Sequence, residues 1–386
     1  VTEITALSEC EARIPSIRAC PEQFRLEDEE IRNMPLWDLL KSRRKQLVGV
    51  DIGTSAVKVV SLRQTGSHYT VEALGRAPLP PDTIVDGSII AKLPLAESIE
   101  RVFREQKIRN SRVATSISGH SVIVKKVSLP AMTEEELAQS IQWEAEQYIP
   151  FDLAEVNVDY QVMERAPRDQ KLQIILVAAK KEKIADYTSV ISLAGKIPVV
   201  VDIDAFALQN AYEVNYSPPE NLVTALLDIG ASSTILSIVR GTEFLFTRDI
   251  AIGGHQYSEF LQEEFDISYE DTEKYKRGEN VPEDQRLRVQ EVIDAVSQNL
   301  VLEVEKTLDY FKTTTYAEDV GQMYLTGGAS RTPGLQEALA GQLQFPVDWF
   351  DPFQRIELAP SLVPSGDRQS VAAEFAVAVG LALRTQ

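Results

Sequence analysis

The segment Val48-Gly-Val-Asp51-Ile-Gly53-Thr54-Ser55-Ala-Val-Lys58-Val-Val60 sets two β-branched runs around one tight turn. Such a pattern is a β-hairpin with a carboxylate at the strand end and glycine at the bend. The chain repeats it at Leu226-Leu-Asp228-Ile-Gly230-Ala231-Ser232-Ser233-Thr234-Ile-Leu-Ser-Ile-Val239. A carboxylate, a glycine and hydroxyls in one turn can hold a hydrated cation and an anionic oxygen together. A single Asp-x-Gly turn is common. Two of them, half a chain apart, call for two related lobes closing on one phosphate-bearing ligand.

A third turn completes the set. The strand-like Met323-Tyr-Leu-Thr326 runs into Gly327-Gly328-Ala329-Ser-Arg331. Glycines there let a nucleoside lie flat against backbone where a side chain would clash. The expected ligand is therefore ATP or ADP with Mg2+. Asp51 and Asp228 would meet the metal through its retained waters. Gly53, Thr54, Ser55 and Lys58 from the first turn, and Gly230, Ala231, Ser232, Ser233 and Thr234 from the second, would take the phosphates. Gly253-Gly254, which opens a helix, and Gly327, Gly328, Ala329 and Arg331 complete the cofactor set.

Composition narrows the partners. The chain has 386 residues, enough for several domains, and carries 39 Lys plus Arg against 58 Asp plus Glu, a formal charge of −19. No dense basic stripe offsets that balance, so nucleic acid is excluded as a partner. Cys10 and Cys20 are the only cysteines and give neither a disulfide framework nor a zinc spacing. His68, His120 and His255 are scattered singly and read as surface or core residues. No apolar run reaches the length of a membrane span, and a reduced, cytoplasmic setting is expected.

Residues 1–33 lack a sustained period, and Met34 is a candidate start preceding a linker with Lys41-Ser-Arg-Arg-Lys45. After the first hairpin come a strand at Tyr69–Arg76, a helix from Pro94 to about Gln106, and strands at Arg112–Ile117 and Ser121–Val127. Thr133 with Glu136 makes a capping box for a helix whose Leu137, Ile141, Ala145 and Tyr148 share a face. Trp143, Tyr148 and Phe151 read as core aromatics, with a partner groove as the alternative. Strands at Val156–Val162 and Leu172–Ala179, a helix over 181–194 and the strand Pro198–Asp204 follow. The second half repeats the strand pattern and adds a helix opened by Gly253-Gly254 and running to about Phe265, and a longer one over roughly Gln285 to Thr313. It ends on the apolar segment Val371–Leu383, expected to lie buried across a sheet.

This ordered set resembles the actin/Hsp70/sugar-kinase superfamily, and from about Met34 onward the detail is similar to the PilM family of the type IV pilus platform. The resemblance rests on Val48–Lys58, Ser128-Leu-Pro130, Trp143-Glu-Ala-Glu-Gln-Tyr-Ile-Pro-Phe151, Val201-Asp-Ile-Asp-Ala-Phe-Ala-Leu208 and Gly380-Leu-Ala-Leu-Arg384. It implies an α/β, actin-like two-lobe ATPase fold with duplicated ribonuclease-H-like sheets and an FtsA-type inserted subdomain. The expected division is a linker over 1–46, a first lobe over 47–83 and 166–217, the insert over 84–165, and a second lobe over 218–386 with helices at about 255–318. The resemblance also implies that the cytoplasmic N-terminus of PilN binds between the insert and the first-lobe sheet. Other pilus platform proteins and motor ATPases would then be partners, with contact to the inner membrane only indirect.

Hydrolysis needs a group that orients or deprotonates water. The resemblance puts it between Val201 and Phe206, where Asp202 is the closer match by register and Asp204 reads equally as a helix cap. At most a slow Mg-dependent ATPase is expected. Adenine contacts would come from Glu273 and Lys276, or from Glu305 and Lys306, and each pair also reads as solvated helix charge. Competing functions are a membrane-associated, polymerising division protein of FtsA type, a small-molecule kinase of the same fold, and a scaffold with a degenerate nucleotide site.

Overall fold

Two sheets of the same design carry the chain. The computed structural model describes residues 17–18, 46–163, 171–315, 319–363 and 368–385. Met34, both cysteines and nearly all of the expected N-terminal linker lie outside the described residues. In the first sheet the order is Ile17–Arg18, Ile197–Ile203, Arg112–Ile117, Val48–Ile52, Ala56–Thr65, His68–Pro78 and Ile356–Glu357. The second runs Glu243–Ile250, Thr234–Arg240, Val223–Ile229, Gln322–Thr326 and Val347–Trp349. In each, an antiparallel hairpin continues into parallel strands at the Asp-bearing strand. Those parallel strands are apolar on both faces because helices or the other lobe cover both sides.

The insert is a three-stranded antiparallel sheet, Val122–Pro130, Lys171–Lys180 and Val156–Val162, backed by the helix Glu134–Glu146. Both halves of the capping box form: the Thr133 amide donates to Glu136 Oε2 at 2.8 Å, and the Glu136 amide to Thr133 Oγ1 at 3.2 Å. The insert begins and ends later than the expected 84–165. Arg112–Ile117 pairs with Val48–Ile52 and Ile197–Ile203 in the lobe sheet, while Lys171–Lys180 is the insert's central strand. The strand Lys171–Lys180 alternates between two cores. Leu172, Ile174 and Leu176 face the insert helix, whereas Ile175, Val177 and Ala179 join the first-lobe core.

Trp143 is not a core residue. Its helix buries Leu137, Ile141 and Ala145, and Trp143 stands on the opposite face at 76% exposure. Tyr148 and Phe151 do pack against the insert core.

The helix Arg368–Ala382 lies between the lobes. It packs on the helix Asp204–Tyr216 and on Val48–Ile52 in the first lobe, and on Gln322–Thr326 in the second. Two glycines make this possible: a Cβ on Gly49 would strike the Ala378 carbonyl, and one on Gly380 the Ala207 carbonyl. Among the described residues, no helix is long and apolar enough to cross a membrane.

A Gly380→Val variant should lose the folded state at ambient temperature, since neither backbone can retreat. Gly341→Ala, where an added methyl meets nothing within 4 Å, should instead gain up to about 1 kcal/mol through helix propensity. Denaturant titration of both variants distinguishes close packing from general glycine sensitivity.

Candidate functional site

Each hairpin turn is closed by its own glycine: the Gly53 amide donates to Ala56 O at 3.1 Å and the Gly230 amide to Ser233 O at 2.9 Å. Strand register then places Asp51 directly opposite Lys58, so both side chains rise from one face. Lys58 Nζ donates to Asp51 Oδ2 at 2.9 Å. Burial works to discharge Lys58, but Asp51, with Asp228 and Glu374 behind it, outweighs burial and holds the amine above the ordinary lysine range. Burial likewise pushes Asp228 up to about 7, with Lys58 opposing and Asp51 and Asp204 adding repulsion. Asp204 is pushed up to about 6, first by burial and then by Asp51, while the Ser116 and Ser118 hydroxyls pull the other way. One ammonium thus faces carboxylates from both lobes.

The turns also touch each other. Ser232 Oγ donates to Thr54 Oγ1 at 2.9 Å across the cleft, and His255 Nδ1 lies 3.3 Å from the same Ser232 hydroxyl. Gly253-Gly254 rests on the second turn, with the Gly254 amide donating to Gly230 O at 2.9 Å and the His255 amide to Ala231 O at 2.7 Å. A Cβ on Gly253 would come within 2.7 Å of the Ala231 carbonyl oxygen. Gly327 sits at φ +89°, and a side chain there would run into the Ile229 carbonyl and the Asp228 carboxylate. Its amide is held by Ala373 O at 2.7 Å.

Behind these turns, Gly254, Ala231, Ala329 and Lys276 converge: a methyl on Gly254 would meet Ala329 Cβ at 3.0 Å and Lys276 Nζ at 3.6 Å. Lys276 Nζ donates to Glu273 Oε1 at 2.7 Å, Ser258 Oγ at 3.2 Å and Gly254 O at 3.3 Å. Of the two charged pairs expected near adenine, Glu273 and Lys276 therefore adjoin the glycine cluster. Lys306 instead pairs with Glu303 at 2.7 Å, and Glu305 accepts from Gln342 at 2.9 Å, both on the exposed side of the long helix. Arg331 is drawn off against the Trp349 ring, 5.0 Å from its centroid.

Asp202 does not reach the cleft. Its carboxylate is fully buried, accepts from Arg384 Nε at 2.6 Å and from the Ile203 amide at 2.8 Å, and so ties the strand to the C-terminal segment. Register alone favours Asp202, but strand alternation turns Asp202 toward the C-terminal helix and the helix start swings Asp204 into the cleft. Asp204 is not the helix cap either, because Ile203 holds that position. His255 is a site residue that single-histidine scatter conceals; the signal available was its place directly after Gly253-Gly254. Asp249 is another: it accepts from the Gly119 amide at 2.7 Å and joins the second lobe to the base of the insert.

The sequence pattern of the type IV pilus assembly protein PilM family matches residues 49–386. The chain belongs to that family. It is similar to a chain of the solved PilM-PilN type IV pilus biogenesis complex, at 30% identity and TM-score 0.79, covering 88% of this chain and 98% of that one. The ethanolamine utilization protein EutJ of Carboxydothermus hydrogenoformans shares the fold, at 15% identity and TM-score 0.51 over 88% of this chain and 89% of that one. EutJ of Escherichia coli (strain K12) is 27% identical over 152 residues, 39% of this chain, which spans about half (49%) of that relative's length. A PilM-family chain of the actin-like ATPase fold accounts for the paired turns and the insert together.

Two expectations separate the carboxylates. Removing the charge partner with Arg384→Met should destabilise the fold by about 3–5 kcal/mol, because Asp202 would stay buried and unpaired. Calorimetric melting should show it, with Arg63→Met as the exposed control. Asp228 and Asp204 hold protons in the folded chain that the unfolded chain releases, so stability should fall as pH rises from about 4 through 7. Asp228→Asn should gain on the parent between pH 5 and pH 8, by on the order of a few kcal/mol. Parallel melting profiles for the two proteins would show that burial does not drive the shift.

Proposed function

We propose that this chain binds ATP or ADP, with Mg2+ carried by the phosphates, between the Asp51 and Asp228 turns, and that it holds the cytoplasmic N-terminal peptide of PilN. The observation that carries the nucleotide reading is Lys58, whose ammonium faces Asp51 and Asp228 at the mouths of two glycine turns. Gly254, Ala329 and Lys276 meet behind the second turn. Lys58 and the turn backbone supply positive potential to phosphate oxygens. Gly327 lets its turn close onto Ile229 and Asp228, and Gly254 lets its helix close onto Ala329, which brings the turns that would flank a nucleoside together.

The residues fit a metal that arrives with its nucleotide. Among the described residues, no group of three His, Cys, Asp or Glu side chains is arranged to hold a metal unaided. Asp51 and Asp228 are the acceptors that would meet a hydrated ion, which would neutralise phosphate charge when bound. Asp204, pushed up to about 6 and facing Asp51, is the group suited to orient water or take its proton. Turnover is slow at most in this reading, because Asp202 is committed to Arg384 and leaves Asp204 alone to act on water.

The peptide reading rests on family membership and on the insert, a separate sheet standing beside the first-lobe sheet. In this role the protein is cytoplasmic, peripheral to the inner membrane through its partner, and links that complex to the pilus motor ATPases and other platform proteins.

Asp51→Ala or Asp228→Ala should cut Mg-ATP affinity at least tenfold in titration calorimetry while the circular dichroism spectrum stays unchanged. Unchanged affinity would refute the site. A synthetic PilN N-terminal peptide should bind the intact protein in the presence of ATP, and failure to bind would refute the pilus reading.

A further inference from the structure

Ile17–Arg18 is the outermost strand of the first-lobe sheet, antiparallel to Ile197–Ile203, with Ile17 opposite Val201 and Arg18 opposite Val200. The same two residues approach Val156–Val162 of the insert. They therefore lie where the sheet edge meets the insert, although the family pattern starts only at residue 49.

The edge accepts a strand at that point for a local reason. Pro198 has no N–H to give a ladder, and proline within a sheet belongs on an edge strand. On its inner side the strand slips register between Pro198 and Val200, and the outer pairing starts at Val200. In the sequence, Pro15 and Pro21 bracket Ile17-Arg18.

We propose that Ile17–Arg18 is a built-in competitor for a peptide-binding sheet edge. The chain's own segment occupies the backbone positions at Val200 and Val201 that an extended peptide would use, and such a peptide must displace it. The proposal rests on the reading that the PilN peptide enters between the insert and the first-lobe sheet. Strand addition at an edge draws its affinity from main-chain hydrogen bonds, so two different extended segments can share one site. A two-residue ladder is weak by itself, but a tether gives it an effective concentration of about millimolar, which a free peptide must overcome. A segment docked about nine-tenths of the time lowers apparent peptide affinity about tenfold. The N-terminal segment would thereby set the threshold for partner engagement.

The test uses the full chain carrying Ile17→Pro and Arg18→Pro together, which removes the backbone N–H that faces the edge, whichever of the two residues carries it. The PilN peptide should bind this variant about three- to tenfold more tightly than the parent. Without peptide, hydrogen exchange at the edge-facing amide of the Val200–Val201 pair should be faster in the variant. Equal affinity, or equal exchange, overturns the proposal. If the peptide binds neither protein, the pilus reading fails, and exchange at Val200–Val201 alone decides whether the segment holds the edge.

Discussion

The close approach of the helix Arg368–Ala382 to both lobes is the contact on which the other features depend. Gly380 and Gly49 let its backbone touch the helix Asp204–Tyr216 and the strand Val48–Ile52, where any Cβ would force the elements apart. From that position the Ala373 carbonyl accepts from the Gly327 amide at 2.7 Å and from Thr326 Oγ1 at 3.0 Å, which fixes the second lobe's third turn. Glu374, next along, adds negative charge behind Lys58. Arg384, just past the helix, closes the buried ion pair with Asp202. Burying such a pair gives little net stability, since desolvation offsets the attraction. Its consequence is geometric, because only one docking of the helix satisfies both charges.

The two lobes duplicate a hairpin but not its chemistry. Asp51 faces Lys58 across the first hairpin, whereas Asp228 faces Ile235 across the second. One lysine therefore serves carboxylates from both lobes. Asp228 has no cation opposite it on its own hairpin, and burial raises it to about 7 with only Lys58 of the other lobe opposing. The Ser232–Thr54 hydrogen bond adds a direct contact at the point where the turns face each other.

Much of the fold was legible in the chain. The Asp-Gly hairpins at 51 and 228, the Gly327-Gly328 turn, the Thr133–Glu136 box and the apolar last helix all rest on local rules that need no tertiary information. Choices between tertiary partners are not written in local sequence. Arg112–Ile117 and Lys171–Lys180 are strands in either sheet, and local sequence does not say which sheet. Trp143 is apolar by residue type, but its angle on the helix, opposite Leu137, Ile141 and Ala145, sets its exposure. Asp202 and Asp204 are two residues apart, and they meet different surroundings because a helix begins at Asp204.

The sequence by itself determined the repeated strand–turn–strand units, the positions of their glycines and carboxylates, and the excess of negative charge. Those follow from steric and propensity rules acting over a few residues. Tertiary structure alone decided that Lys58 answers to both Asp51 and Asp228, that Asp202 belongs to Arg384, and that His255 and Asp249 join the cleft. Each of those facts depends on distances between segments that meet only after the two sheets have packed on the C-terminal helix.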